Sequence, residues 1–587
     1  MKKGLIIIII LMILIASLGA YLYKRLVIPS SIPTTIGNEI NNSNSVGSFI
    51  GEINNDIEMG ATDSIGTAGG STFRSLFKST ESNVQNSASD SLGFSTGGAR
   101  TINNFRENIE NGYFPISTDI TYNGLFYDYS FDTGNAKGNS NDLFYPSYST
   151  AVSKDPISGV KEYFMTVGLN SNIKESDFVR PKLNLVVVLD ISGSMSSSFN
   201  SYYYDGNYMD GYVEERYKSK MDVAKESVNI LVDHLDIDDR FGLVTFESKG
   251  SINRKLGSLG DSIENVKANI LNIKEGGGTN FEVGYRLALQ ELQAVENDEE
   301  YQNRIIVITD AMPNTGMTDS TSLMGMIEEN SKKKIYTSFI GVGVDFNTGL
   351  IEKLGTVEGA NYYSVHNEEE FKKQMGEDFD FMVTPLVFNL NLDFDSTDYR
   401  LEAVYGTDAQ NDKKENIMHV NTLFPSKRNE NGEVKGGIIL LKLENNNNLN
   451  GNIKLKVSYE DGHHIRHENE QIVNFDNKEE YYDNTGIRKG ILLTRYANLM
   501  KDWILFERSG KDNKFLVTEN TGIFSSDYNE DQITQILGEH ERTSVKLTTS
   551  TQSKELFKKM KEYFKNEIKE LGDDTLEQEV RILDILS

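Results

Sequence analysis

The sequence predicts an α/β protein: a doubly wound, mostly parallel sheet over residues 181–378, a β-sandwich over 379–480 and a helical C-terminal region over 481–587. Three observations predict it. Near-continuous apolar runs alternate with amphipathic helical stretches between Leu183 and Met375, short strands joined by polar turns follow Val383, and helical periodicity returns from Gly486. Apolar strands of that kind need helices on both faces of their sheet. A chain of 587 residues also exceeds what one hydrophobic core supports, since domains run to roughly 100–200 residues.

Taken in order, Lys2 and Lys3 precede an apolar run from Leu5 to Tyr23, close to the roughly 20 residues that span a bilayer. Residues 1–28 are therefore expected to be a transmembrane signal anchor, with Tyr21, Tyr23, Lys24 and Arg25 at the interface, a signal peptide cleaved near Ser17–Ala20 being the alternative. Residues 29–97 are rich in Ser, Asn, Gly and Thr, a composition that buries too little surface to offset chain entropy, and read as a flexible stalk. Residues 98–180 read as a small β-containing module, either separate or joined to the strands after Val383 with the α/β domain inserted between them. Its first part has Ile102, Phe105 and Ile109 at helical spacing, and strand-like runs at Leu125–Tyr129 and Glu162–Val167 follow.

Within 181–378, strands are expected at Leu183–Leu189, Phe241–Phe246, Arg304–Thr309, Ile335–Val344 and Asn361–Val365, with a helix from Ser219 to Leu235. Strands at Leu386–Phe394, Ile438–Leu443 and Ile453–Tyr459 suit a sandwich. In the C-terminal region the stripe Ile487, Ile491, Leu492, Arg495, Tyr496, Leu499 and Trp503 reads as the buried face of a helix.

A net charge of -28 argues against nucleic acid as a partner, because duplex binding needs a basic face. The absence of cysteine removes disulfide scaffolds, thiolate metal sites and cysteine nucleophiles together.

The chemistry concentrates at strand ends. Asp190-Ile191-Ser192-Gly193-Ser194 follows the first apolar strand, Thr279 sits in the glycine-rich run Gly276–Asn280, and Asp310 follows the strand ending at Thr309. Ligands of open parallel sheets bind beyond the carboxyl ends of strands. The alternate residues Asp190, Ser192 and Ser194 can turn towards one point, and with Thr279 and Asp310 they offer only hard oxygen donors, suited to magnesium, manganese or calcium.

These residues resemble the metal-ion-dependent adhesion site of von Willebrand A (VWA) domains, an Asp-x-Ser-x-Ser loop with a separate Thr and Asp on a Rossmann-like doubly wound sheet. The resemblance implies that Ser192 and Ser194 ligate Mg2+ directly and that Asp190 and Asp310 neutralise it directly or through water. It further implies that Thr279 joins in the ligand-bound form, and that an acidic side chain of a protein partner takes the open position. A longer resemblance, carried by Gly97–Tyr129, Asp310–Thr315, Gly341–Phe346 and Met382–Leu390, is to prokaryotic envelope proteins often labelled calcium-activated chloride channel homologues. One spanning segment without polar interruption cannot by itself line a pore.

Tyr202, Tyr203, Tyr204, Tyr208 and Tyr212 lie in an excursion between the serine loop and the next helix, and are expected either to form a partner-binding rim or to pack on their own domain. His463, His464 and His467 invite a zinc reading. On a strand the first and last would stand roughly 13 Å apart, at about 3.3 Å per residue, too far for one ion.

The expected function is that of a single-pass protein of the cell membrane, its body extracytoplasmic, which binds a carboxylate-bearing protein partner through the metal site. An accessory subunit of an ion channel or transporter is the alternative. An enzyme is not expected, since no general base stands beside the carboxylates in the sequence.

Overall fold

The computed structural model describes residues 91–96, 102–135, 142–198, 218–295, 298–310, 320–343, 354, 356–365, 368–407, 410–412, 417–445, 451–476, 478–509 and 544–587. The anchor at 1–28, the stalk as far as residue 90, and the five tyrosines Tyr202, Tyr203, Tyr204, Tyr208 and Tyr212 lie outside the described residues. Among the described residues no helix is long and apolar enough to cross a membrane.

Among the described residues the α/β domain is built on six strands: β1 (Lys182–Asp190), β2 (Arg240–Phe246), β3 (Gly250–Ser258), β4 (Tyr301–Thr309), β5 (Ile335–Val342) and β6 (Asn361–Val365). They lie in the order β6-β5-β4-β1-β2-β3. All pairs are parallel except the β2–β3 hairpin, which adds an antiparallel edge that the sequence reading did not include.

The strand periodicity of two decides which core each residue of β1 joins. Leu183, Leu185, Val187 and Leu189 pack with α1 (Lys220–His234) and α2 (Ile263–Leu271) on one face. Val186 and Val188 pack with α3 (Phe281–Gln293) and α4 (Ser320–Ser331) on the other. A fully buried Leu or Val side chain contributes about 1.5–3 kcal/mol by burial, so this strand alone anchors both layers. Two further helices, α5 (Glu368–Met375) and α6 (Phe379–Val383), close the first face through Phe371, Met375, Phe379 and Met382.

The β-rich segments on either side are not separate bodies. Strands Ser91–Thr96, Phe144–Lys154 and Lys161–Lys174 share one eleven-stranded sheet with Val387–Asp395, Tyr399–Tyr405, Ile417–Ser426, Ile438–Asn445, Asn452–Asp461 and Arg466–Asn474. The α/β domain is thus inserted between two parts of a single sheet, which decides for the insertion that the two flanking β-rich stretches left open. The sheet doubles over its own core: Phe144 meets Tyr459, from a strand that is not its neighbour, with ring centroids 5.3 Å apart.

Two expectations need correction. Ser91–Thr96, placed in the stalk by composition, is a buried strand between Lys161–Lys174 and Ile417–Ser426. Its small residues are what packing demands there, since a Cβ on Gly93 would stand 2.4 Å from Val434 Cγ1. The strand-like run Leu125–Tyr129 falls largely in a helix, Tyr122–Tyr127, opened by Thr121, whose hydroxyl accepts from the Gly124 N–H at 3.1 Å. Leu125, Phe126 and Tyr129 are buried in one core, while Tyr127 turns to the α/β domain and meets Tyr363 with ring centroids 6.0 Å apart.

That core joins helix Asn103–Glu110, which carries Phe105 and Ile109 as the spacing predicts, to the C-terminal helices Thr485–Ser509, Thr551–Leu571 and Glu577–Leu586. The predicted stripe on Thr485–Ser509 is buried throughout, and Trp503 meets Phe114 and Phe557 edge-on at 4.9 and 5.5 Å.

Candidate metal centre

The chain leaves β1 for β2 and β3 on one side, then crosses to β4 on the other. The carboxyl ends of β1 and β4 therefore form the topological switch point, where a crevice opens because the two loops depart in opposite directions. Asp190 ends β1 and Asp310 follows β4.

The loops there are tied to each other before any ligand is considered. The Gly193 N–H donates to Gly277 O at 3.2 Å, and the Gly276 N–H donates to Ile191 O at 2.7 Å, fastening the serine loop to the glycine-rich loop. The Asn280 N–H donates to Glu247 O at 2.8 Å, and the Asn280 side chain caps α3. Thr279, 2% exposed, is held in a loop fixed at both ends.

Four of the five expected residues form one hydrogen-bonded chain. Ser192 Oγ and Ser194 Oγ are 3.0 Å apart, and Ser194 Oγ donates to Asp310 Oδ1 at 2.8 Å. Asp190 accepts from the Ser192 N–H at 2.8 Å through Oδ1 and from Thr309 Oγ1 at 2.6 Å through Oδ2. Asp190 and Asp310 are almost wholly buried, and Ser194 is partly exposed. Thr279 lies on the loop bonded to the serine loop, so the structure brings its segment to the same place.

The donors fit a hard divalent cation. With metal–oxygen distances of about 2.1 Å, neighbouring ligands of an octahedron stand about 3 Å apart, and the Ser192–Ser194 and Ser194–Asp310 separations match. The electrostatics point the same way. Burial, and then the negative charge of Asp310, push the Asp190 carboxyl up to about 7, against the bonds from Thr309 and Ser192 that favour its ionised form. A bound cation would relieve that cost.

A pH dependence follows. The folded-state pKa of Asp190 lies above its ordinary value of 3.8. The stability conferred by its proton is therefore complete below 3.8 and drains away as pH rises through about 7. Thermal melts of the metal-free protein in chelator are expected to show Asp190→Asn gaining on the wild type across this window. Parallel melting curves for the two at every pH would contradict the assignment.

Two participants were missed in the sequence. Thr309, the last residue of β4, orients Asp190, and no motif distinguishes it from the apolar strand before it. Lys220, fully buried, donates from Nζ to Asp310 Oδ2 at 3.0 Å. Its signal was present: a lysine opening a helix, directly after the N-cap Ser219, opposes the helix dipole and calls for a nearby anion. His467 pairs with Asp461 and His464 with Glu460, and among the described residues no group of three or more His, Asp or Glu is placed to hold a metal.

A family model for the von Willebrand factor type A domain matches residues 185–312, a span that holds all five site residues. The chain contains a VWA domain. The chain is 22% identical over 219 residues to human inter-alpha-trypsin inhibitor heavy chain H4, a match covering 36% of this chain and 21% of that protein. It is 26% identical over 201 residues to the uncharacterized protein YfbK of Escherichia coli, covering 34% of this chain and 31% of YfbK. The match thus spans about a fifth to a third of these relatives' lengths, and neither bears the chloride-channel label. Among solved structures, a von Willebrand factor type A protein from Catenulispora acidiphila aligns with a TM-score of 0.39 at 12% identity, over 63% of this chain and 83% of that one. VWA domains generally mediate protein–protein interaction or adhesion, and commonly bind a divalent metal at a cluster of this composition.

Proposed function

We propose that the chain is a membrane-anchored, extracytoplasmic binding protein whose VWA domain holds Mg2+, or Mn2+ or Ca2+ in its place, and grips an Asp or Glu carboxylate of a protein partner. The carrying observation is the hydrogen-bonded chain Ser192–Ser194–Asp310 beside the buried Asp190, with oxygen spacings suited to one small cation. Serine hydroxyls as ligands leave the ion short of negative charge, so an anionic sixth ligand is favoured. The role is one of holding and assembly, with no catalytic step.

The anchor reading supports placement on the membrane through Leu5–Tyr23 with the body outside the cytoplasm. The tyrosine-rich excursion supports a contact rim. Its stem closes next to the serine loop, where Ser198 bridges to Ser219 and the Lys220 N–H donates to Ser197 O at 2.9 Å. Tyr202, Tyr203, Tyr204, Tyr208 and Tyr212 thus belong to a segment that starts and ends beside the metal centre.

The test is capture of envelope proteins by the full chain in Mg2+, in chelator, and with Ser194→Ala. A partner that is retained in Mg2+ and lost in the other two arms is the expected result. A partner retained equally in all three would show that binding does not pass through this site.

A further inference from the structure

The strand Arg466–Asn474 stands at one end of the eleven-stranded sheet, paired with Asn452–Asp461 on one side and, among the described residues, with no strand on the other. The pairing runs without a shift from Glu460 opposite Arg466 to Asn452 opposite Asn474. Sheet edges are commonly blunted by shortness, a bulge, proline or lysine, and this strand of 9 residues has none of these. The Asp461 N–H donates to Ile465 O at 3.1 Å, which fixes the phase of the ladder. Bonded and open positions alternate in an antiparallel pair, so His467, Asn469, Gln471 and Val473 bond inward. Arg466, Glu468, Glu470 and Ile472 therefore turn their N–H and C=O groups out of the sheet.

The same four residues share one face of the strand. On that face Asp393 stands opposite Lys456 and Lys456 opposite Glu470, while Asp395 stands opposite Lys454. Lys454 pairs with Glu470 at 3.0 Å, Lys456 with Glu468 at 3.2 Å, and Arg466 with Glu468 along the strand at 3.0 Å. Acidic, basic and acidic columns thus follow one another towards the edge. Paired as they are, the Glu468 and Glu470 side chains stay 44% and 53% exposed and Ile472 stays 60% exposed, which leaves room for a neighbour.

We propose that this edge takes up an extended segment of a protein partner as an added antiparallel strand, reading apolar-x-basic-x-basic-x-acidic, so that it meets Ile472, Glu470, Glu468 and Arg466 in turn. Main-chain bonds supply the attachment and the side-chain row supplies the choice of partner. Opposite charges across a strand pair contribute about 0.2–1 kcal/mol each, and like charges directly opposite are destabilising. A second copy of the same strand is disfavoured on that ground: a twofold axis at the strand's centre sets Glu470 against itself, and one at Asn469 sets Glu468 against Glu470. The edge belongs to a different sheet from the metal centre, so the proposal stands apart from the metal-site reading and is tested in chelator.

The probe is a fluorescein-labelled synthetic peptide, Thr-Val-Thr-Lys-Thr-Lys-Thr-Glu-Thr, added to the full chain and followed by anisotropy, with deuterium exchange of residues 466–474 as a second readout. Wild type is expected to bind it at least about tenfold more tightly than the peptide with glutamate for both lysines, and about threefold more tightly than an isomer with adjacent lysines. Exchange at 466–474 should slow on binding. Glu468→Gln combined with Glu470→Gln should weaken binding about three- to tenfold. Glu470→Pro removes an outward N–H, a change that edge strands tolerate, and should abolish both binding and protection; if it fails to fold, the double glutamine variant carries the test. No binding of the lysine peptide, equal binding of the isomer, or undiminished binding by the folded variants overturns the proposal. A dimer of the full chain that Glu470→Pro dissolves also overturns it, because the edge would then hold a second copy.

Discussion

Asp190→Asn is expected to lower Mg2+ affinity by about a hundredfold or more. Attraction between a divalent ion and a carboxylate at about 4 Å amounts to several kcal/mol even at an effective dielectric near 20, and each 1.4 kcal/mol is tenfold in affinity. The amide keeps the shape of the carboxylate and still accepts from the Ser192 N–H, so the loop that carries Ser192 and Ser194 retains its support. The rotatable hydroxyl of Thr309 can turn to meet the amide group. Calorimetry should therefore show the loss in affinity, while thermal melts in chelator at pH 8 show a variant at least as stable as the wild type, because a costly buried charge is gone. Such opposite movement of stability and binding is characteristic of groups retained for function. Undiminished Mg2+ affinity in Asp190→Asn would remove this aspartate from the site.

Much of this was legible in the sequence, and for identifiable reasons. The run Leu183–Leu189 is apolar at every position but one because both of its faces are covered, and that signature survives without any partner in view. The oxygen cluster was legible because Asp190, Ser192 and Ser194 are close in sequence and stand at a strand end. What escaped depended on packing between distant segments. Ser91–Thr96 looks like linker because its neighbours demand small side chains, and Tyr122–Tyr127 looks like strand because its aromatics pack against two different cores. The union of the two β-rich segments into one sheet could be raised from their positions on either side of the α/β domain but not decided, because it is a matter of register between strands more than 200 residues apart, such as Gly93 opposite Ser426. Lys220 is separated from the serine loop by the tyrosine-rich excursion, and its partner Asp310 is nowhere near it in the chain.

Arg180→Ala is expected to destabilise the VWA domain by about 3–5 kcal/mol, the range for removing one partner of a buried ion pair. Arg180 is the residue before the Pro181 lead into β1, and its guanidinium donates to both carboxylate oxygens of Asp239, a side chain with no exposure at all. Asp239 also accepts from the Leu183 and Asp236 N–H groups at 2.8 Å, so loss of the arginine leaves a fixed, buried carboxylate without its cation. The same guanidinium donates through Nε to Asp380 Oδ1 at 2.7 Å, in α6, where the chain leaves the domain. One side chain therefore fastens entry to exit.

The effect should be a fall in melting temperature on the order of 10 °C, at about 2–4 °C per kcal/mol for a domain of this size. Asp380→Ala, removing a partner that is 36% exposed, should cost only about 1 kcal/mol or less. The seam lies at the amino end of β1 and the metal centre at its carboxyl end, nine residues on, or roughly 25–30 Å at about 3.3 Å per residue. Below its melting temperature, Arg180→Ala should bind Mg2+ within about twofold of wild type, because additivity holds at that separation. If Arg180→Ala melted no lower than Asp380→Ala, the buried pair would not be what holds the inserted domain closed. If it lost Mg2+ binding while still folded, the two ends of β1 would be coupled through the sheet, and occupancy of the metal centre would then be felt where the domain joins the rest of the chain.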